Sequence, residues 1–186
     1  FAADAAEVKP GKTAVVVGDG AVGLLAVLSA KQMGAERIIA MSRHPARQAL
    51  ALEFGATDIV TERGDDGVQR ILDLTKGIGA DSVLECVGTQ ESMSQALRAT
   101  RRGGHMSYVG VPHGVSFDGF ELFFSHVHLH GGPAPVRRYL PMLIDLIVSG
   151  INPGANVGRA IYHSGTVGAA LTGRNGLVSG VAISQS

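Results

Sequence analysis

The sequence predicts an α/β fold in which helices cover both faces of a doubly wound parallel sheet. Short apolar runs alternate with helix-like segments through the first 110 residues, an order typical of parallel strands joined by helical crossovers. The strand-like runs, such as VVV at 15–17 and IIA at 38–40, are continuously apolar, which indicates burial on both faces. Gly34, Gly55 and Gly77 follow helix-like segments. A helix often ends with one residue in the left-handed backbone conformation, which glycine adopts at little energetic cost.

The predicted elements succeed one another as regular strand–helix units. The strands are short, mainly apolar runs at 14–17, 38–41, 58–60, 82–87 and 105–109. The helices carry apolar residues at helical spacing and are predicted at 22–33, 45–54, 67–75 and 91–99. Beyond residue 109, Pro112, Gly114 and Gly119 interrupt this rhythm before a further strand at 126–130. One more helix is predicted from the helical spacing of Val136, Leu140, Leu143, Ile144 and Ile147.

Composition limits the classes of protein to which the chain can belong. Its 186 residues fit one domain, to which we assign residues 1–154. We assign residues 155–186 to a glycine-rich tail, in which no hydrophobic periodicity predicts a helix or a strand. The 16 basic and 16 acidic residues cancel, which argues against a nucleic-acid partner. The sequence shows neither a membrane-spanning run nor a leader, so we expect a cytoplasmic protein.

The strongest motif is GDGAVG at 18–23, placed between a predicted strand and a predicted helix. In G-x-G-x-x-G, Gly18 permits the tight turn, Gly20 lets a pyrophosphate approach bare backbone, and Gly23 lets the helix pack closely on the strand. The N–H groups of residues 20–23, including Ala21 and Val22, would then face the phosphates at the positive end of the helix. The motif therefore predicts a Rossmann dinucleotide-binding fold.

The end of the second strand predicts which dinucleotide is bound. A carboxylate about 20 residues after the glycine turn usually accepts hydrogen bonds from the ribose 2′-OH, but Ser42, Arg43 and His44 stand there instead. Ser42 can donate to a 2′-phosphate and Arg43 can pair with it, so the prediction is NADP(H), with NAD(H) the weaker alternative. The other interpretation is a solvated Arg43 beside a Ser42 that only caps the next helix.

Several stretches, taken together, resemble the cofactor domain of the zinc-type medium-chain alcohol dehydrogenases. They include VKPGKTAVVVGDGAVGLLAV, AKQMGAERIIAMSRH, EFGATDIV, GADSVLECVG, GGHMSYVGVP and GGPAPV, and they cover about residues 8–154 in order. The resemblance implies hydride transfer between an alcohol or carbonyl and NAD or NADP. It also implies that the nicotinamide end is lined by Val87, Gly88, Val109, Gly110 and Val111.

The same resemblance implies features that this chain does not show. Members of that family carry the catalytic zinc in a preceding domain of similar size, so zinc is expected only there and the chain by itself is expected to be inactive. Subunits of the family pair by extending the sheet, which implies a homo-oligomer joined near residues 115–132.

The alternative to a dehydrogenase domain is a nucleotide-sensing module that binds the cofactor without catalysing a reaction. An adenosylmethionine methyltransferase is disfavoured, because it prefers an acid where Ser42 and Arg43 stand.

Other polar residues have plainer interpretations. His126, His128 and His130 would share a strand face, but no further ligand is near in sequence, so a subunit contact is favoured over a metal site. The single cysteine, Cys86, is expected to be a small buried hydrophobe, and Glu85 to be structural. Asp19 is expected to form local hydrogen bonds within the glycine turn.

Overall fold

The structure is a computed structural model that describes residues 1–150. Its centre is a six-stranded parallel sheet with the strand order β3-β2-β1-β4-β5-β6. The strands are β1 (Thr13–Val17), β2 (Arg37–Met41), β3 (Asp58–Val60), β4 (Ala80–Glu85), β5 (Thr100–Tyr108) and β6 (His128–Gly131). The helices are α1 (Ala2–Ala5), α2 (Ala21–Gln32), α3 (Pro45–Phe54), α4 (Gly64–Leu74), α5 (Gln90–Ala99), α6 (Gly119–Ser125) and α7 (Val136–Gly150).

Two apolar clusters cover the two faces of the sheet. Along β1, Ala14 and Val16 point to the face covered by α1, α2 and α3, whereas Val15 and Val17 point to the face covered by α4 and α5. All four of these side chains are buried, as expected for a central strand with helices on both sides. The fold is therefore the doubly wound α/β class that the sequence predicts.

The strand order places a crevice beside β1. The chain builds β1, β2 and β3 outward in one direction and then returns to place β4 on the other side of β1. The helices that follow β1 and β4 pack on opposite faces of the sheet, and ligands of such sheets bind at this reversal of strand order. The glycine turn at 18–20 and the Val87–Gly88 turn both lie there.

The predicted elements are found, with differences that have local causes. Gly55 ends α3 in the predicted left-handed conformation, with φ of +116° and its N–H donating to the carbonyls of Ala51 and Leu52. The predicted strand 126–130 begins only at His128, because His126 ends α6 in a left-handed conformation with φ of +55°. The short helices α1 and α6 were not predicted, because each offers fewer than two turns of periodicity.

The chain divides into a unit that comprises Phe1–Ala134, with the whole sheet, and a second unit that begins at Pro135 and contains α7. Helix α7 begins at Val136, as its apolar spacing predicts. The glycine-rich tail assigned to 155–186 lies outside the described residues. Between residues 1 and 150, no helix is both long enough and apolar enough to cross a membrane.

Candidate functional site

The glycine turn has one open side and one tightly packed side. Gly18 has φ of +116°, a conformation that L side chains rarely adopt, and a Cβ on Gly23 would collide with the Gly18 carbonyl oxygen. Gly20 differs from both, because its backbone is extended and a Cβ built on it meets nothing within 4 Å. The turn therefore presents bare backbone on its open side and packs tightly on its inner side.

Helix α2 begins at the open side of that turn. Gly20 is its N-cap, and the first intrahelical bond runs from the Leu24 N–H to the Gly20 carbonyl at 2.9 Å. The N–H groups of Ala21, Val22 and Gly23 precede that bond and have no intrahelical acceptor. The first turn of α2 carries no acidic residue. This end of the helix can therefore bind an anion through its backbone.

Asp19, inside the glycine turn, joins that turn to the end of β2. Its carboxylate accepts a hydrogen bond from Ser42 Oγ at 2.8 Å and one from Arg47 Nη1 at 3.0 Å. These hydrogen bonds lower the pKa of Asp19 against the opposing effect of burial, which is the largest single influence. The expectation of purely local bonding by Asp19 is therefore wrong, because its partners lie 23 and 28 residues further along the chain.

Ser42 and Arg43 occupy different environments. Ser42 is fully buried and its hydroxyl donates to Asp19, so its first role in the structure is to hold that carboxylate in place. It does not cap α3, whose N-cap is His44 without a side-chain capping bond. Arg43 is exposed and has no hydrogen bond or ion pair with any described residue. Its guanidinium is therefore available to a ligand at the carboxyl end of β2.

The turn after β4 is held by one buried carboxylate. Glu85 Oε1 accepts hydrogen bonds from the N–H groups of Val87 and Gly88, at 2.8 and 2.7 Å, and from Ser92 Oγ at 2.7 Å. Glu85 is fully buried, and its other oxygen, Oε2, has no partner within the described part of the chain. Ser92 is also half of the capping box that begins α5, so this carboxylate fixes both the turn and the helix.

The turns after β4 and β5 pack directly against each other. Cβ atoms on Gly88 and Gly110 would each collide with the backbone of the opposite turn. The N–H of Val109 donates to the Glu85 carbonyl at 2.9 Å, which extends the β4–β5 pairing to the site. Val87 and Val111 remain 47% and 67% exposed, so both present apolar surface at this edge. The structure thus brings the five residues expected at the nicotinamide end into one place.

The sequence identified most of these positions but not how they are supported. It did not reveal that Arg47 pairs with Asp19, because these residues lie 28 positions apart, or that the Glu85 side chain accepts hydrogen bonds from the turn that follows it. The only advance signal for Glu85 was an acidic residue directly after the apolar pair Val83 and Leu84. Such a residue needs several donors if it is to be buried.

The histidines and the cysteine do not form a second reactive centre among the described residues. His128 and His130 lie on β6, whereas His126 lies outside it, so the three do not share one strand. No group of three or more potential ligands within residues 1–150 could hold a metal ion. Burial raises the pKa of the Cys86 thiol to about 12, with a smaller effect from Glu85, which keeps this thiol protonated and unreactive.

Comparison with known proteins links this geometry to one family. The sequence model of the zinc-binding dehydrogenases matches residues 21–149. An NADP-dependent isopropanol dehydrogenase of Entamoeba histolytica is 35% identical over 154 residues, which cover 80% of this chain and 42% of that protein. A sorbitol dehydrogenase of Bacillus subtilis is 38% identical over 111 residues, 60% of this chain and 31% of its own length.

Solved structures support the same relationship. The alcohol dehydrogenase TADH from Thermus sp. ATN1 superimposes with a TM-score of 0.74 at 33% identity, covering 80% of this chain and 44% of that one. The chain thus spans less than half the length of these relatives.

Proposed function

Because this chain belongs to the zinc-binding dehydrogenase family, as a Rossmann-type domain of the medium-chain alcohol dehydrogenases, we propose that its described residues bind the dinucleotide of an alcohol or carbonyl oxidoreductase. The dinucleotide is NADP(H) in preference to NAD(H). The whole protein to which this domain belongs transfers a hydride between that cofactor and an alcohol or carbonyl compound.

The geometry at Gly20 carries the proposal. It combines an open backbone, a helix start with spare N–H donors and a position at the reversal of strand order. A pyrophosphate placed against Gly20 would reach those donors without meeting a side chain.

The nicotinamide end belongs at the turns after β4 and β5. Val87 and Val111 offer an apolar surface to a ring, and Gly88 and Gly110 keep the two turns in close contact. Glu85 positions this surface through its three hydrogen bonds and does not itself face the cofactor, since it is fully buried.

The preference for a 2′-phosphate rests on Arg43. Its exposed guanidinium has no partner among the described residues, and the nearby Asp19 is already paired with Arg47 and Ser42. The Entamoeba histolytica relative is named an NADP-dependent isopropanol dehydrogenase, which agrees with this assignment. His44, the N-cap of α3, is exposed beside Arg43 and offers a ring N–H donor to the phosphate.

Zinc is not assigned to the residues that the structure describes. They contain no group of three or more His, Cys, Asp or Glu side chains that could hold a metal ion. What these residues contribute to hydride transfer is binding and orientation of the dinucleotide.

Replacement of Gly20 by valine tests the proposal. The variant should lose dinucleotide binding yet unfold at the wild-type temperature, because the new side chain points into open space where a pyrophosphate would lie. Gly119→Val is the matched control, since Gly119 also begins a helix and also has nothing within 4 Å of its Cβ. Calorimetric titration with NADPH and NADH measures the effect. Unchanged affinity in Gly20→Val would place the phosphates elsewhere and reject the proposal.

A further inference from the structure

Two arginines leave adjacent strands at the same edge of the sheet. Met41 of β2 pairs with Val60 of β3, and the Ser42 N–H continues the ladder by donating to the Val60 carbonyl at 2.9 Å. Arg43 lies two residues beyond Met41, and Arg63 lies three residues beyond Val60. Strands in a sheet lie about 4.8 Å apart, so the side chains of the two arginines start from neighbouring positions.

Arg63 is held more firmly than Arg43. It is the N-cap of α4, it is partly buried, and its Nη1 donates to the Glu62 carbonyl at 2.9 Å. Burial and then the positive charge of Arg43 lower the pKa of Arg63, while Asp19, Glu91 and Glu62 oppose that effect. The guanidinium of Arg63 remains charged near neutral pH, because arginine side chains are not deprotonated in proteins. The two arginines therefore repel each other in the free protein.

Among the described residues, no carboxylate forms an ion pair with either arginine. Asp19, whose charge acts on Arg63, makes its close contacts with Ser42 and Arg47 instead. Arg63 carries five N–H donors, and one of its terminal nitrogens donates to the Glu62 carbonyl. Two adjacent guanidiniums with spare donors suit a doubly charged phosphate, which relieves their repulsion and accepts several charge-assisted hydrogen bonds.

We propose that Arg63 is a second determinant of cofactor specificity and binds the 2′-phosphate of NADP(H) together with Arg43. The proposal rests on the proposed function, because it requires that the dinucleotide lie along this edge of the sheet. Arg63 follows the end of β3, 20 positions beyond Arg43. Neither the glycine motif nor the residues at the end of β2 predict that it contacts the cofactor.

Arg63→Met tests the proposal, with Arg70→Met as the matched control because Arg70 is an exposed arginine on the same helix. Each protein is titrated with NADPH, NADH, adenosine 2′,5′-bisphosphate and adenosine 5′-monophosphate. Arg63→Met should weaken NADPH and the bisphosphate by about tenfold or more and leave NADH and the monophosphate unchanged. Arg63→Lys, which keeps the charge, should give a smaller loss, and Arg70→Met should match the wild type.

Two outcomes reject the role of Arg63 while the proposed function stands. One is unchanged NADPH affinity in both Arg63 variants, and the other is an equal loss for NADPH and NADH, which would place Arg63 against the adenine. Failure of the wild type to bind either dinucleotide would reject the proposed function as well, and a wild-type preference for NADH would reject its NADP assignment together with this inference.

Discussion

At the scale of single residues, Arg43 is the side chain on which the cofactor preference depends most. We expect Arg43→Ala to weaken NADPH at least tenfold and leave NADH nearly unchanged. A charge-assisted hydrogen bond is worth ~1.5–3 kcal/mol, and ~1.4 kcal/mol corresponds to a tenfold change in affinity. Calorimetric titration of both cofactors measures the difference. Equal losses would mean that Arg43 stacks on the adenine and does not read the 2′-phosphate.

Glu85 illustrates a residue that acts only through its neighbours. Glu85→Ala removes the acceptor shared by Val87 N–H, Gly88 N–H and Ser92 Oγ, and each buried donor left without a partner costs about 1–3 kcal/mol. Glu85→Gln keeps an oxygen in that place, so its loss of unfolding free energy in urea should be much smaller. Equal losses in the two variants would show that the charge, and not the acceptor geometry, stabilises the turn.

At the scale of elements, β5 and β6 are joined by a stacked histidine pair. The rings of His105 and His128 lie 4.6 Å apart at an interplanar angle of 15°. Burial lowers the pKa of His105, opposed by Glu7 at 3.6 Å and reinforced by His128, Lys9 and Arg101. The folded chain thus favours the neutral ring, and protonation of His105 destabilises the fold.

The sign of this effect gives a pH prediction. Because the pKa of His105 is lower in the folded than in the unfolded state, its contribution to stability is complete above the ordinary value of 6.5 and declines as pH falls below it. Urea unfolding of His105→Gln should therefore show a shallower loss of stability below pH ~6.5 than the wild type. His113→Gln, at an exposed histidine, is the control and should keep the wild-type slope. An unchanged slope in His105→Gln would contradict the prediction.

The sequence predicts elements best where several residues carry the same signal. Helix α3 was placed at its observed bounds because Pro45 and Gly55 mark its two ends. The start of β5 was harder to predict, because its first residues, TRRGG, do not resemble a strand and only Thr100 among them pairs in register with β4. Ser42 shows the same limit at the site, because nothing in its local sequence reveals that its hydroxyl donates a hydrogen bond to Asp19.

At the scale of the whole molecule, β6 is the outermost strand on its side of the sheet among the described residues. The helix that precedes β6 in the chain, α6, exposes Phe120 and Phe123, which are 74% and 77% accessible in the single chain. We propose that chains associate through 115–132, the segment that contains both features. Sedimentation should show a dimer or larger species at micromolar concentration, and Phe123→Glu should shift it toward monomer. A wild-type monomer at high micromolar concentration would contradict this prediction.

The order of the strands also has a consequence for biosynthesis. The residues that pair along β1 and β4 are 68 positions apart, as in the contact of Thr13 with Asp81. At ribosomal rates of ~5–20 residues per second, β4 emerges about 3–14 s after β1. During that interval one edge of an apolar strand, TAVVV, has no partner, although β2 and β3 are already available on its other side. The nascent chain therefore passes through a period in which this edge is open to pairing with other chains, and chaperone contact matters most before residue 85 leaves the ribosome.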